Sequence, residues 1–452
     1  MILSIILAFC LVIGLPLLIG TGVLLQKIPL TGRWYVGLMG MGLFFSVFYA
    51  VHIPKKIVFA IFAVLVILCL WRTIRACLQQ KLSIVWPSLP AFVAYGFVGV
   101  LLINAWLLVL VEPVSYADAV VIWFQKTTQI NQWVDFKNIF WPNYPNLGPS
   151  LWMTALTLVD HQECFGRLFF PTAYIFFILE LISIVPLRAK SWFFPLLTAA
   201  IGFRFFYGQV YSGYQDMFVM STIGMAAIFF VRFIMQADKP RRKLKNERIL
   251  FLTACFLAGS AAHIKSEGGF LALMTLGAVL VVVGYNAIVY RTKYSPVTII
   301  AGISLLAAII SIHYVIVAVY GLDVANFQSG LFNVKESAGF FKNINRLPLI
   351  TSYVLEWYGE YQKMIALSLI TSALAIGLYR RAAGLIIFPW LVIVAHGCFL
   401  YFVFLNTAAD VNWHLSTACF RLQSQLSAFF MIAFLLSLSI CCRVFWVLLR
   451  KR

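Results

Sequence analysis

Charge is what this chain has least of. Only 11% of its 452 residues are Asp, Glu, Lys or Arg, far fewer than a soluble surface of this size carries. Linker chemistry is absent too: no Gly/Ser-rich or Pro-rich stretch separates one part from another, which argues against an attached soluble domain. No repeat period appears, so a solenoid or an array is excluded. The nine cysteines include no Cys-x-x-Cys pair, and Cys441-Cys442 sits in the final apolar run. Neither a disulfide framework nor a zinc site is spelled out by that spacing. There is no phosphate-cradling glycine loop and no Ser-His-Asp pattern. The common nucleotide-binding and hydrolase motifs are thereby removed.

What the chain does have is hydrocarbon. It is 63% hydrophobic, its mean hydropathy is +0.95, and many windows run close to the length that crosses a bilayer with few charges or none. Such runs must be helical, because barrel strands alternate apolar and polar residues over about 10 positions. The expected fold class is an all-α, polytopic transmembrane helix bundle of about thirteen spans. The spans are placed near 2–25, 35–53, 57–71, 90–111, 167–186, 191–207, 214–235, 249–264, 268–290, 297–320, 362–379, 384–405 and 424–447. The first run lacks a basic n-region and a small-residue cleavage site, so it reads as a retained span. Three parts are expected: N-terminal spans over 1–89, a membrane module over 90–320 with a first outer loop at 112–166, and a large outer loop plus C-terminal spans over 321–452.

Lysine and arginine set the orientation. The turns at Arg72/Arg75/Lys81, Arg188/Lys190, Lys239 to Arg248, Arg291/Lys293, Arg380/Arg381 and Arg450 to Arg452 share one face, which the positive-inside rule makes cytoplasmic. That topology puts 22 of the 34 Lys/Arg inside. The acids, unused in setting it, segregate the other way: twelve of 15 fall outside, Asp238 and Glu247 inside, and Glu180 within a span. The high pI is thus a property of a face turned to anionic headgroups, and nucleic acid is not implied. Lys55 and Lys56 fall outside and are the clearest departure from the rule.

Five polar clusters lie on the outer side. The first runs from Tyr116-Ala117-Asp118 through Trp123 and Lys126 to Trp141-Pro142-Asn143-Tyr144-Pro145. The second is Tyr207-Gly208-Gln209 through Tyr214-Gln215-Asp216. The third is the tight turn His263-Ile264-Lys265-Ser266-Glu267-Gly268. The fourth is 321–361, with Lys335, Glu336, Glu356 and Glu360. The fifth is Asn412-Trp413-His414-Leu415 followed by Arg421. Polar groups are expensive in lipid, so five clusters on one face point to one substrate site roofed by non-cytoplasmic loops.

The order Tyr-x-Asp-Ala, Trp-x-x-Lys, Pro-x-Tyr-Pro, then Gly213-Tyr214-Gln215-Asp216, Lys265-Ser266-Glu267-Gly268 and Trp413-His414-Leu415 with Arg421-Leu422, resembles a bacterial branch of the GT-C membrane glycosyltransferases. The resemblance covers residues from about 90 to 430. Relatives in that family include protein O-mannosyltransferases and the transferases that add aminoarabinose to lipid A. The resemblance implies transfer of a sugar from a polyprenyl-phosphate carrier to a glycolipid, glycan or protein acceptor on the non-cytoplasmic face. It also implies a bacterial inner membrane with the site facing the periplasm; in a eukaryote the same topology faces the endoplasmic reticulum lumen. It assigns the catalytic role to Asp118, and substrate contacts to Lys126, Tyr144, Asp216, Lys265, Glu267, Trp413, His414 and Arg421. The chain departs from the family pattern where Ala119-Val120 follow Asp118, where Asn143 precedes Tyr144, and where Phe420 precedes Arg421.

The chemistry can be argued beside the resemblance. An acceptor hydroxyl is a weak nucleophile, so a carboxylate within hydrogen-bond reach must take its proton. Charge builds on the departing lipid phosphate, which calls for fixed cations, with Lys126, Lys265 and Arg421 as candidates. Single displacement inverts the anomeric centre; retention would need a second carboxylate, Asp216 or Glu267. Plainer roles stand beside these. Asp118 and Asp216 can cap helices, Lys265 and Glu267 can solvate a turn, and Trp413 can be an interfacial anchor. No cofactor is assigned, and a divalent metal at Asp118, Asp216 or a histidine stays open. Two other functions remain in view: a transporter or flippase of lipid-linked saccharides, and a glycan polymerase or ligase. A transporter would hold ionisable groups near the midplane, where Glu180 stands with no role assigned.

Overall fold

The computed structural model describes residues 2–24, 28–79, 89–113, 119–160, 162–184, 215–237, 244–322, 343–407 and 410–449. All regular structure among them is helical. In order the long helices are α1 (Ile2–Leu24, with a π-helical turn at Cys10–Gly14), α2 (Leu30–Ala50), α3 (Lys55–Leu78) and α4 (Leu89–Val111). After a π-helical turn at Ala119–Phe124 come α5 (Gln125–Asn131), α6 (Leu147–Leu158) and α7 (Cys164–Ile184). Then follow α8 (Asp216–Ala237), α9 (Leu244–Ala261), α10 (Ser266–Val289), α11 (Pro296–Val319), α12 (Leu347–Leu378), α13 (Ala383–Leu405) and α14 (Ser427–Leu449). Eight helical segments among the described residues are long and apolar enough to cross a membrane, and shorter apolar helices run over Tyr95–Val111 and Ile365–Leu378. Twelve of the thirteen expected spans fall on helices; the thirteenth, 191–207, lies outside the described residues. The chain is an all-α polytopic membrane bundle.

The bundle is organised around α8, which is buried along almost its whole length and packs on α7, α9, α10 and α14. By contrast α1, α3 and α11 bury little of themselves. Their outward faces are Ile, Val, Leu and Phe, as lipid demands. A smaller core of Ile350, Val354, Phe399, Leu400, Val403, Phe404, Leu415 and Leu422 joins the start of α12 to the end of α13 and to the segment 411–424.

Two expected loops are folded. The stretch after α4 holds α5 and α6, and ten of the twelve residues of α6 are buried. Its polar-aromatic composition hides this, because Trp152 and Thr154 of α6 are buried as completely as Leu151. Likewise α12 begins at Leu347, whereas hydropathy starts its span at 362. Ser352 and Glu356 depress hydropathy, yet Ile350 and Val354, one turn apart, give that first part a core-facing stripe.

Side-chain contacts sort the helix ends into two sets. At one end Lys55 donates from Nζ to Asn131 O (2.7 Å) and Oδ1 (3.0 Å). Trp133 Nε1 donates to Ile53 O (2.9 Å), Tyr49 OH to Val134 O (2.5 Å), and Tyr320 OH to Ala50 O. At the other end Glu180 pairs with Arg232 and accepts from Thr31 and from Ser183 Oγ, and Tyr290 OH donates to Arg380 O (2.6 Å). These two sets of helix ends match the two groups that the charge count separates.

Candidate functional site

Asp216 opens α8 and is 2% exposed. A lone carboxylate so placed would be prohibitively costly, and the neighbouring helices supply its partners. Its Oδ1 accepts from Lys265 Nζ at 2.8 Å and from Gln425 Nε2 at 2.9 Å. Lys265 comes from the turn between α9 and α10, where Ile264 N and Lys265 N both donate to Ala261 O. That turn is closed by Gly268: a Cβ there would lie 2.2 Å from Ala261 O, so only glycine lets the backbones approach this closely. Lys265 also stands 3.6 Å from Glu267 Oε1, and Tyr144 OH donates to Glu267 Oε2 at 3.2 Å. Arg421 lies within electrostatic reach of Tyr144, Asp216 and Lys265. Four elements distant in sequence thus meet in one charge-balanced cluster at one end of the bundle.

Burial alone would lower the Lys265 pKa, but Asp216 and then Glu267 outweigh it and the net shift is upward. This lysine is a fixed cation at any working pH. Tyr144 moves far up, first through burial and then through the Glu267 and Asp216 carboxylates, so its phenol keeps its proton and acts as a donor.

Tyr144 is held by a loop with unusual support. Trp141 adopts φ +49°, a left-handed conformation that a large side chain seldom takes. The fully buried Lys126 donates to both ends of this turn, to Trp141 O at 2.9 Å and Tyr144 O at 2.6 Å. Asn143 O is bonded by His313 Nε2 at 2.9 Å, and Leu147 N donates to His263 O at 2.9 Å. Trp123 packs on the Tyr144 ring at 5.3 Å. Burial pushes the Lys126 pKa well down. Its two carbonyl acceptors are satisfied whether it is an ammonium or a neutral amine, since both forms carry at least two N–H donors.

Of the residues singled out from sequence, Tyr144, Asp216, Lys265, Glu267 and Arg421 come together. Lys126 sits behind them, directed at loop backbone. His414 bonds Thr407 Oγ1 through Nδ1 at 2.8 Å and feels Glu267 and Arg421. Trp413 is 61% exposed, one residue away. Asp118, Lys335 and Glu336 lie outside the described residues; Glu356 is exposed on α12. Sequence reasoning missed Gln425, although it ends a polar run, Arg421-Leu422-Gln423-Ser424-Gln425, just before an apolar helix. His263, singled out in the third cluster, bonds Ile309 O through Nε2 at 2.6 Å; the other loop support, His313, was missed because a single histidine in an apolar helix carries no positional signal. Among the described residues no three His, Cys, Asp or Glu side chains converge as a metal site requires.

No protein-family model matches the chain, and no curated protein matches it. Among solved structures it is similar to the crystal structure of ArnT from Cupriavidus metallidurans bound to undecaprenyl phosphate, with 15% sequence identity and a TM-score of 0.44. The similarity covers 77% of this chain and 59% of that one, so the chain spans less than two thirds of that protein's length.

Proposed function

We propose that this protein is an integral-membrane glycosyltransferase that moves a sugar from a polyprenyl-phosphate carrier to an acceptor at the outer face. The observation that carries the reading is Lys265, an amine kept charged between Asp216 and Glu267 and accompanied by Arg421 at the same end of the bundle. A lipid-borne phosphate presents its charge at this depth, and prearranged cations stabilise the charge that grows on it as the sugar departs. The order of motifs in the sequence supports the same donor class.

Each residue then has a role. Lys265 and Arg421 receive the phosphate. Asp216, with Gln425 behind it, holds Lys265 in place. Tyr144 donates toward Glu267 and fixes its carboxylate. Lys126, His313 and the 141–147 turn set the position of Tyr144; we carry Lys126 forward as a positioning residue and no longer as a phosphate contact. Asp118 is the base that takes the acceptor proton in a single, inverting displacement. Asp216 suits the nucleophile of a retaining route poorly, because one of its oxygens already accepts two hydrogen bonds. The transporter reading loses its main support, since Glu180, the acid within a span, is paired with Arg232.

The test is sugar transfer and donor hydrolysis by purified protein supplied with synthetic polyprenyl-phosphate sugars, wild type against Asp118→Asn and Lys265→Met. We expect Asp118→Asn to keep donor binding and lose turnover by roughly 100-fold or more, and Lys265→Met to lose donor binding. Lipid movement across proteoliposomes with no turnover on any donor would instead establish a flippase.

A further inference from the structure

The surroundings of Asp216 hold more hydrogen-bonding capacity than the protein uses. Asn146 Oδ1, Ser150 Oγ, both amide atoms of Gln215, and Gln425 Oε1 are buried without a hydrogen-bond partner among the described residues. None of these four side chains is more than 3% exposed. They belong to one place. Gln425 is bonded to Asp216, and Gln215 precedes Asp216 in the chain. Gly148 lies so close to Gln215 that a Cβ there would stand 2.0 Å from Oε1. Asn146 and Ser150 flank Gly148, and Ser150 N donates to Asn146 O at 2.9 Å, which sets them one helical turn apart. The bonds from Leu147 to His263 and from Tyr144 to Glu267 tie this start of α6 to the Lys265 turn.

Native interiors rarely leave buried polar atoms unmet, and five in one cluster ask for a partner with several small donors and acceptors. All four side chains are neutral. The two described carboxylates beside them, Asp216 and Glu267, already face Lys265, so an ammonium would have to compete with that lysine for them. We propose that Asn146, Ser150, Gln215 and Gln425 form the subsite for the donor's sugar, and that it takes a neutral, hydroxyl-bearing sugar in preference to an amino sugar. Hydroxyls donate and accept at once, so one sugar meets the amide N–H of Gln215 and the four acceptor oxygens. This inference rests on the proposed transferase reading.

The experiment measures binding of three lipids to the purified full chain: sugar-free polyprenyl phosphate, the same lipid carrying a neutral hexose, and the same lipid carrying an amino sugar. The variants are Gln215→Met and Ser150→Ala. In the wild type the hexosyl lipid is expected to bind roughly tenfold more tightly than the sugar-free lipid, a gain the amino sugar does not share. Gln215→Met should erase that gain, leave sugar-free lipid binding unchanged and melt no lower than wild type, because an unmet buried amide has been replaced by an apolar chain of similar size. Should Gln215→Met fail to fold, Ser150→Ala, which removes a single hydroxyl, is expected to reduce the gain by about threefold. Equal wild-type binding of sugar-free and hexosyl lipids, the outcome if ordered water alone fills the cluster, overturns the subsite while leaving the lipid-phosphate reading intact. Equal losses for both lipids in Gln215→Met do the same. Amino-sugar lipid bound as tightly as hexosyl lipid overturns the neutral-sugar assignment. If the wild type binds none of the three, the transferase reading fails and the subsite fails with it.

Discussion

At the scale of single residues, two lysines of the same type are put to opposite electrostatic use. Lys265 faces carboxylates and is held charged; Lys126 faces backbone carbonyls and is pushed toward neutrality by burial. The signs of their pH dependence differ accordingly. Between the lowered folded pKa of Lys126 and the ordinary lysine range, the unfolded chain binds more protons than the folded one, so this site's contribution to stability rises with pH. Unfolding in detergent followed from about pH 6 to pH 10 should show a steeper rise for wild type than for Lys126→Met; parallel curves would mean that Lys126 is an ammonium in the fold. For Lys265, whose folded pKa is raised, the contribution is fully present below the ordinary lysine value and is lost only as pH climbs through the folded one. Its removal leaves Asp216 and Glu267 facing each other in a poorly hydrated site. Lys265→Met should therefore destabilise by about 3–5 kcal/mol, and adding Asp216→Asn should recover much of that loss. A double-mutant cycle on unfolding reads the coupling directly, and additive losses would show that the 2.8 Å pair contributes nothing.

At the scale of elements, the α9–α10 turn is what brings Lys265 to α8. It works because Gly268 lets two helices close on four residues, with Ala261 O against the glycine Cα. Gly268→Ala must push backbone from backbone, since the nearest atom is a carbonyl oxygen and cannot rotate away. A loss of about 1–3 kcal/mol is expected, together with weaker donor binding as Lys265 retreats from Asp216; unchanged affinity would mean that the turn does not set the lysine's position. The neighbouring elements explain what was legible beforehand. Lys265, Glu267 and Asp216 could be picked out because ionisable residues beside apolar helices are rare and conspicuous. The folding of α6 and the early start of α12 could not: α6 buries Thr, Ser and Trp, and the first turns of α12 bury only Ile350 and Val354 among exposed polar residues, against partners that hydropathy does not know about. Gln215 stood out only as the neighbour of Asp216, and Asn146 and Ser150 stayed invisible, for a related reason: neutral polar residues acquire meaning only once their surroundings are seen to leave them unmet.

For the whole molecule the question is which face carries the cluster. Charge segregation gives an expectation, with one flaw, the pair Lys55-Lys56 on the acid-rich side. Contacts now account for half of that flaw. The Lys55 ammonium is held by Asn131 O and Oδ1, so it anchors α3 to α5 and does not count as a free charge facing headgroups. Glu180 is accounted for in the same way, by Arg232 at the opposite end. With Lys55 and Glu180 assigned to local partners, the remaining Lys/Arg bias predicts an orientation by the positive-inside rule. In a cysteine-free background, Lys56→Cys and Asn138→Cys, both exposed at one end, should react with a membrane-impermeant thiol reagent added outside intact cells. Lys293→Cys and Arg381→Cys, exposed at the other end, should react only after the membrane is opened. The reverse pattern would turn the Asp216–Lys265 cluster toward the cytoplasm, where nucleotide sugars are at hand and a lipid-phosphate donor loses its rationale. Labelling of one site from each set on the same side would break the two-ended grouping itself, and with it the convergence of Tyr144, Asp216, Lys265, Glu267 and Arg421 on which the proposed chemistry depends.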